Sequence, residues 1–337
     1  MVAMPAKLDV AISLDVEEEG LFRGQYQCRD VTVRNVACIS KLAPLFERGV
    51  RPTFFCAYPV FLDPEARRAL EQARQYGEIG AHLHHWNTPP VVQNIPDSGT
   101  LPQVPSFQLP LQCLEAKLEH LLRECDSFLG SPCRSFRMGR WDLHGAVFPL
   151  LARRGIQVDA SVRPLHSYES KNSGPDHFDA PADPYWIPVN GSRLLEVPLT
   201  VAPLFAPLAH IPHKYAWGRQ LRASLRHWGA LAILPVEQPL WLMKMAANLH
   251  VNSGGSTLSI AWHSSDLMPG GNPRLPDDAA VNRFLARIGQ FLDWLESNFS
   301  VNYVTMTELK DRARIQAARC QRPADWIWAP ETENAGN

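Results

Sequence analysis

Short apolar runs alternate with stretches of helical period along most of this chain, and that alternation is its strongest constraint on fold. "KLDVAISLDVE" (7–17) reads as a strand ending in acids. "VTVRNVACISKLAPLFERGV" (31–50) carries apolar residues at helical spacing, with Gly49 placed to cap it. "RPTFFCAYPV" (51–60) reads as a second strand. "PEARRALEQARQYG" (64–77) reads as a helix with Pro at its start and Gly at its end. "EIGAHLHH" (78–85) is a third short strand, and "LQCLEAKLEHLLRECDSFLG" (111–130) is the clearest amphipathic helix. "SPCRSFRMG" (131–139) leads into a fourth strand and "DLHGAVFPLLARRG" (142–155) into a helix. Further strands are expected at 156–162, 192–200, 257–263 and 301–309, with a strong helix at 277–297 before the last. Strand and helix alternating in this way specify a parallel sheet with crossover helices. Seven or eight such units fit one closed or nearly closed α/β barrel better than two domains.

Two segments break the rhythm. Residues 163–190 read as a long loop, and 203–255 as an irregular, partly helical insertion, a candidate flap over the site. Residues 1–320 are therefore expected to form one domain, and 321–337 a peripheral tail.

Composition narrows the function. The formal net charge is −1, from 33 basic and 34 acidic residues, which supplies no field to hold nucleic acid or an anionic membrane. Seven cysteines, an odd number with no CxxC, argue for reduced thiols rather than a disulfide framework or a thiolate zinc site. The N-terminal stretch lacks the basic start and apolar run of a signal peptide, and no apolar stretch reaches the ~18 residues of a membrane span. The expectation is a cytoplasmic enzyme without a transmembrane segment.

In a parallel α/β barrel, functional groups gather where strands end and loops begin. The unusual polar residues fall at such places: Asp15 and Glu17, then His82, His84 and His85, then Arg137, then His263 to Asp266. Alternation along a strand puts residues i and i+2 on one face, so His82 converges with His84, and Asp15 with Glu17. Two imidazoles and a carboxylate form a ligand set for a catalytic divalent ion with open positions. One of Asp15 and Glu17 can bind the ion while the other accepts a proton from water. Asp15 lies inside an apolar strand and needs a partner, for which Arg137 is the candidate. Glu18 and Glu19 read as a solvated acidic turn. His263, at the end of an apolar strand in "SIAWHSSDLMPGG", can protonate a leaving amine, with Asp266 or Ser264 to orient it. Trp86, Trp141 and Trp262 flank these motifs.

These motifs resemble those of the polysaccharide deacetylase family (NodB homology, carbohydrate esterase family 4), over about Asp9 to Leu309. "DVE", "HLHHWN" and "HSSDL" are most similar to the branch associated with bacterial surface-polysaccharide genes. The resemblance implies a distorted (β/α) barrel. It maps the family's catalytic base onto Asp15, its arginine onto Arg137 in "FRMGRW" and its general acid onto His263. The second aspartate of the first motif, a metal ligand, meets Val16, with Glu17 the nearest replacement. The histidine pair meets His82 and either His84 or His85, because the i+4 position is Trp86. The implied activity is metal-dependent hydrolysis of a non-peptide carbon–nitrogen bond, removing acetyl from an N-acetylated carbohydrate of a surface polysaccharide or its precursor. Zinc would be held by Glu17, His82 and His84, and sugar would lie against Trp86 and Trp141. Two alternatives remain: a metal-free glycan-binding protein on the same fold, and a metal-dependent hydrolase of another amide or ester.

Overall fold

A computed structural model of the chain describes residues 6–91, 100–101, 105–166, 175–189, 191–204 and 229–312. Its centre is a nine-stranded sheet. In chain order the strands are β1 (Lys7–Val16), β2 (Tyr26–Gln27), β3 (Thr53–Ala57), β4 (Glu78–Leu83), β5 (Thr100–Leu101), β6 (Ser135–Met138) and β7 (Val158–Asp159). Then follow β8 (Tyr185–Val189), β9 (Ser192–Glu196), β10 (Val201–Pro203), β11 (Ala230–Ala232), β12 (Thr257–His263) and β13 (Ser300–Val304). The main sheet runs β12-β1-β3-β4-β6-β7-β9-β8, with β13 paired to the first half of β1, and two short antiparallel pairs, β10-β11 and β2-β5, stand apart. Every pairing in the main sheet is parallel except β8 with β9.

The sheet curls into an open, distorted (β/α) barrel, the class expected from the alternating elements. Among the described residues its ladder does not close. Past β9, Thr200 donates its N–H to the Ser259 carbonyl at 3.1 Å and accepts from the Ser259 N–H on its hydroxyl at 2.8 Å, spanning the gap to β12.

Period-two alternation sorts each strand between two environments. On β1, Leu8, Val10, Ile12, Leu14 and Val16 face outward into the core beneath the helices, whereas Ala11 belongs to a separate inner cluster with Phe55, Val158 and Leu195. On β4, Ile79, Ala81 and Leu83 join the outer core, which leaves His82 facing inward. On β12, Leu258, Ile260 and Trp262 do the same, which leaves His263 inward. The long helices Leu111–Leu129 and Asp278–Asn298 cover the outer face through Leu118, Leu121, Cys125, Phe284, Ile288 and Phe291.

Several elements differ from expectation. Strand 51–60 stops at Ala57 and becomes a short helix, Tyr58–Leu62, because Pro59 has no N–H for a ladder but suits a first helical turn. Strand 301–309 stops at Val304, and Met306–Arg312 is helical. There Thr305 and Glu308 form a reciprocal capping box: the Glu308 carboxylate accepts from Thr305 N–H at 3.1 Å and the Thr305 hydroxyl from Glu308 N–H at 3.3 Å. The 163–190 "loop" contains β8, an antiparallel edge strand whose Pro188 is exposed, the position a sheet edge tolerates. The strand expected over 156–162 shrinks to Val158–Asp159. Helix 31–50 begins as a 3₁₀ turn sequence, Arg34–Leu42, before Ala43–Glu47 turns α-helical. In the 203–255 insertion the helix Leu240–Asn252 and β11 are present, while 205–228 lie outside the described residues, as does the 321–337 tail.

Candidate metal centre

Parallel pairing in register brings the strand ends to one level. Asp15 sits opposite His263 on β12 and Phe55 on β3, and His82 sits opposite Ala57 on β3 and Arg137 on β6. The loop after β1 is tied to the loop after β12. Glu17 N–H donates to the Ser264 hydroxyl at 3.2 Å, and the Asn35 amide nitrogen lies within 3.0 Å of the Glu17 carbonyl, 2.9 Å of Ser264 Oγ and 3.0 Å of Ser265 Oγ.

Glu17, His82 and His84 are all buried, and one donor atom from each lies within 4.8 Å of the others. Glu17 Oε2 is 3.4 Å from His82 Nε2 and 3.3 Å from His84 Nε2. Both imidazoles turn their other nitrogen outward. His82 Nδ1 donates to the Arg137 carbonyl at 3.1 Å, and His84 Nδ1 is 2.9 Å from Glu18 Oε2. Each ring therefore turns Nε2 toward Glu17, and an imidazole that gives up its Nε2 proton is the donor a divalent cation takes. His85 is buried against Trp86 and is not in this set. A second, overlapping set joins Glu17 with Asp15 and His263. There Arg137 already neutralises Asp15, so the first set suits a cation better.

Asp15 is 3% exposed and Arg137 1%. Arg137 Nη1 donates to Asp15 Oδ1 at 2.6 Å, Nη2 to the Ser13 hydroxyl at 2.8 Å and Nε to the Ala160 carbonyl at 2.9 Å. Its guanidinium lies between the rings of Phe55, at 4.4 Å, and Trp141, at 4.6 Å. Burial works to raise the Asp15 carboxyl, but Arg137, helped by His82 and His263, overrides it and holds Asp15 below the ordinary carboxylate value. Burial likewise opposes ionisation of Glu17, and His263, His82 and His84 together hold it low.

His263 approaches from the other side, its Nε2 3.8 Å from Asp15 Oδ2. Asp266 orients it: Oδ2 accepts the His263 backbone N–H at 2.9 Å and faces Nδ1 at 3.4 Å, while Asn272 holds Oδ1 at 2.8 Å. Burial works to lower the His263 pKa, yet the Glu17, Asp266 and Asp15 carboxylates push it up to about 10, so the ring is a proton donor at neutral pH. In the same way burial pulls His84 down while Glu18 and Glu17 push it up to about 10.

A cavity of about 360 Å³ opens beside His263, walled by Phe22, Trp141, Arg163, Glu237 and Arg274 among others. Trp141 reaches this wall from a strained turn, since Arg140 and Trp141 have φ of 63° and 59° without being glycine. Phe22, 37% exposed, meets His263 edge-on at 4.8 Å. Trp86 does not line this cavity. It is 5% exposed, its ring stacks on His84 at 4.2 Å, and its indole N–H donates to Glu18 at 2.7 Å. Trp262 borders the cavity but is 1% exposed with its ring against Phe284.

The acidic turn expected at Glu18-Glu19 is a correction. Glu19 pairs with Arg34 at 2.7 Å, but Glu18 is wholly buried against His84 and Trp86. Three consecutive acids look solvated in sequence. The available signal was the HxW spacing of His84 and Trp86, which offers two N–H donors on one side of the chain.

No protein-family model and no curated protein sequence matches the chain. Solved structures do. A polysaccharide deacetylase assignment from Mycobacterium smegmatis aligns over 94% of this chain and 95% of that one, at 17% identity and a TM-score of 0.55. A glycoside hydrolase/deacetylase assignment from Parabacteroides distasonis aligns over 91% and 71%, at 11% identity and a TM-score of 0.56. The 4-alpha-glucanotransferase of Thermococcus litoralis aligns over 91% of this chain and 40% of its own, at 10% identity and a TM-score of 0.52. At these identities the likeness is one of fold: the chain has the NodB-like (β/α) barrel.

Proposed function

We propose that this protein is a metal-dependent hydrolase that removes acetyl from an N-acetylated sugar, acting on a surface polysaccharide or its precursor. The observation that carries the reading is the convergence of Glu17, His82 and His84 on one point, with an Arg137-paired Asp15 and an Asp266-oriented His263 beside it. Glu17, His82 and His84 would hold the ion, and zinc suits two imidazoles, one carboxylate and open positions. When bound, such an ion supplies Lewis-acid polarisation of an amide carbonyl and acidifies water. Asp15, kept ionised by Arg137, accepts the proton of the attacking water. His263 donates a proton to the departing amine nitrogen, and its proximity to Asp15 lets the two groups work on one bond. No serine or cysteine nucleophile is required. Trp141 and Phe22 offer aromatic faces to the sugar; we assign Trp86 to the support of His84 rather than to the sugar.

Among the described residues no helix is long and apolar enough to cross a membrane. The six cysteines among the described residues are all free, three of them buried, which supports a reducing compartment, and we place the reaction in the cytoplasm. The balanced charge supports a carbohydrate partner over nucleic acid.

Val16 and Trp86, which stand where the resemblance places metal ligands, motivate a second reading, a metal-free glycan binder. Metal analysis and acetate release separate the two. Purified protein should carry one divalent ion, lost in His82→Ala, and should release acetate from N-acetylated oligosaccharides faster than from simple acetyl esters. Metal-free protein that binds glycans without releasing acetate would overturn the hydrolase; preference for the esters would overturn the amide substrate.

A further inference from the structure

We infer that Glu18 is a positioning residue for the ligand His84, and that Trp86 is the clamp that holds Glu18 in place. This rests on the metal site proposed above. Glu18 is 0% exposed, and its two carboxylate oxygens stand 3.1 and 2.9 Å from His84 Nδ1. A carboxylate acceptor at Nδ1 fixes a proton there and turns Nε2 toward Glu17 Oε2, 3.3 Å away, as the nitrogen that a cation would take in place of its proton. The indole N–H of Trp86 donates to Glu18 Oε1 at 2.7 Å, and the Trp86 ring stacks on His84 at 4.2 Å with 28° between planes. Gly139 closes the far side: a Cβ there would lie 2.5 Å from His84 Cδ2 and 2.9 Å from the Leu83 carbonyl oxygen. The imidazole is thus held by a stacked ring, a glycine floor and one charged acceptor.

The two imidazole ligands are fixed by different means. His82 Nδ1 uses a backbone carbonyl, that of Arg137, which no side-chain substitution removes. His84 depends on a side chain. Trp86 stands where the resemblance places a ligand, four residues after His82. An indole offers no donor to a cation, so in this chain that position would act one step back, through Glu18.

The test compares zinc affinity, by competition with a chromophoric chelator, in wild type, Glu18→Gln, Glu18→Ala, Glu18→Asp and Trp86→Phe. Cobalt(II) absorption and the ¹⁵N shifts of the His84 ring are second readouts that a merely structural role would not move. Losing the orienting carboxylate should weaken zinc binding by about 10- to 100-fold in Glu18→Ala, and should alter the cobalt spectrum. Glu18→Asp should recover part of the affinity, and Trp86→Phe, which keeps a ring but loses the N–H, should weaken binding by a few fold. If Glu18→Ala does not fold, Glu18→Gln and Trp86→Phe carry the test. Zinc affinity within twofold of wild type and an unchanged cobalt spectrum in the folded Glu18 variants would overturn the inference while leaving the metal site intact. A wild-type protein that takes up no zinc would overturn the site itself, and the role of Glu18 with it.

Discussion

Replacing Arg137 with methionine should expose how much this centre depends on one buried ion pair. Arg137 and Asp15 are 1% and 3% exposed, with Nη1 and Oδ1 2.6 Å apart. With charge centres about 4 Å apart and an effective dielectric near 20, their attraction is about 4 kcal/mol. Removing one member strands the other, and for buried pairs that costs about 3–5 kcal/mol. Arg137→Met keeps the length of the stem between Phe55 and Trp141 but leaves the Asp15 carboxylate beside Glu17 with no guanidinium. We expect urea unfolding to show a loss of about 3–5 kcal/mol. Asp15→Asn/Arg137→Met, which strands no charge, should recover at least about 2 kcal/mol of it. The kinetics should move as well. Asp15 would titrate higher without Arg137, so the acidic limb of the rate profile should shift to higher pH, while Asp15→Asn should lower kcat by about 10²–10⁴. A loss below about 1 kcal/mol in Arg137→Met, or a double variant no more stable than that single one, would refute the view that Arg137 is there to keep Asp15 ionised.

Two further outcomes are expected. His177, buried with Nε2 donating to the Leu143 carbonyl at 3.3 Å, is pulled down by burial to about 4, so stability present above its usual ~6.5 should be lost as pH falls through 4. Unfolding free energies from urea titrations at pH 7.5, 5.5 and 4.5 should decline, by up to about 3 kcal/mol in all, and His177→Gln should flatten the decline; an unchanged slope would point to other groups. Phe22→Ala should raise KM by about 3- to 10-fold with kcat within twofold, because the ring offers binding surface at the cavity edge. A fall in kcat at constant KM would instead make Phe22 a packing partner of His263.

Much of this arrangement was legible. Helices and parallel strands followed from period and punctuation, with Pro64 and Gly130 marking real helix ends. The inward set Asp15, Glu17, His82, Arg137 and His263 followed from alternation and strand-end chemistry, both local properties. What escaped was set by tertiary partners or by overlooked local chemistry. Whether Glu18 faces water or an imidazole depends on a segment 66 residues away. Pro188 made an edge strand read as loop, since a proline argues against a strand until its neighbours are known. The helix after β13 was signalled by Thr305-x-x-Glu308, a capping box that a run of β-branched neighbours concealed. Trp86 and Glu18, read separately in sequence, are hydrogen-bonded to each other.

Val16 is the residue where alignment logic and strand logic part. Matching motifs letter by letter puts a valine where a metal ligand belongs and suggests a dead centre. The pleat gives another answer. Val16 is 0% exposed on the helix-facing side of β1, in the row of Leu8, Val10, Ile12 and Leu14. An aspartate there would be a bare charge in the outer core, at several kcal/mol. The inward row is Ala11, Ser13 and Asp15, and it continues to Glu17 just past the strand end. Glutamate is one methylene longer than aspartate and reaches both His82 and His84 from there. Because β1 pairs in register with β3 and β12, a one-residue slip that put position 16 inward would turn Asp15 away from Arg137 and His263. Keeping Asp15 and moving the second acid to position 17 is therefore the arrangement that preserves the ion pair, the apolar row and a donor toward the imidazoles together.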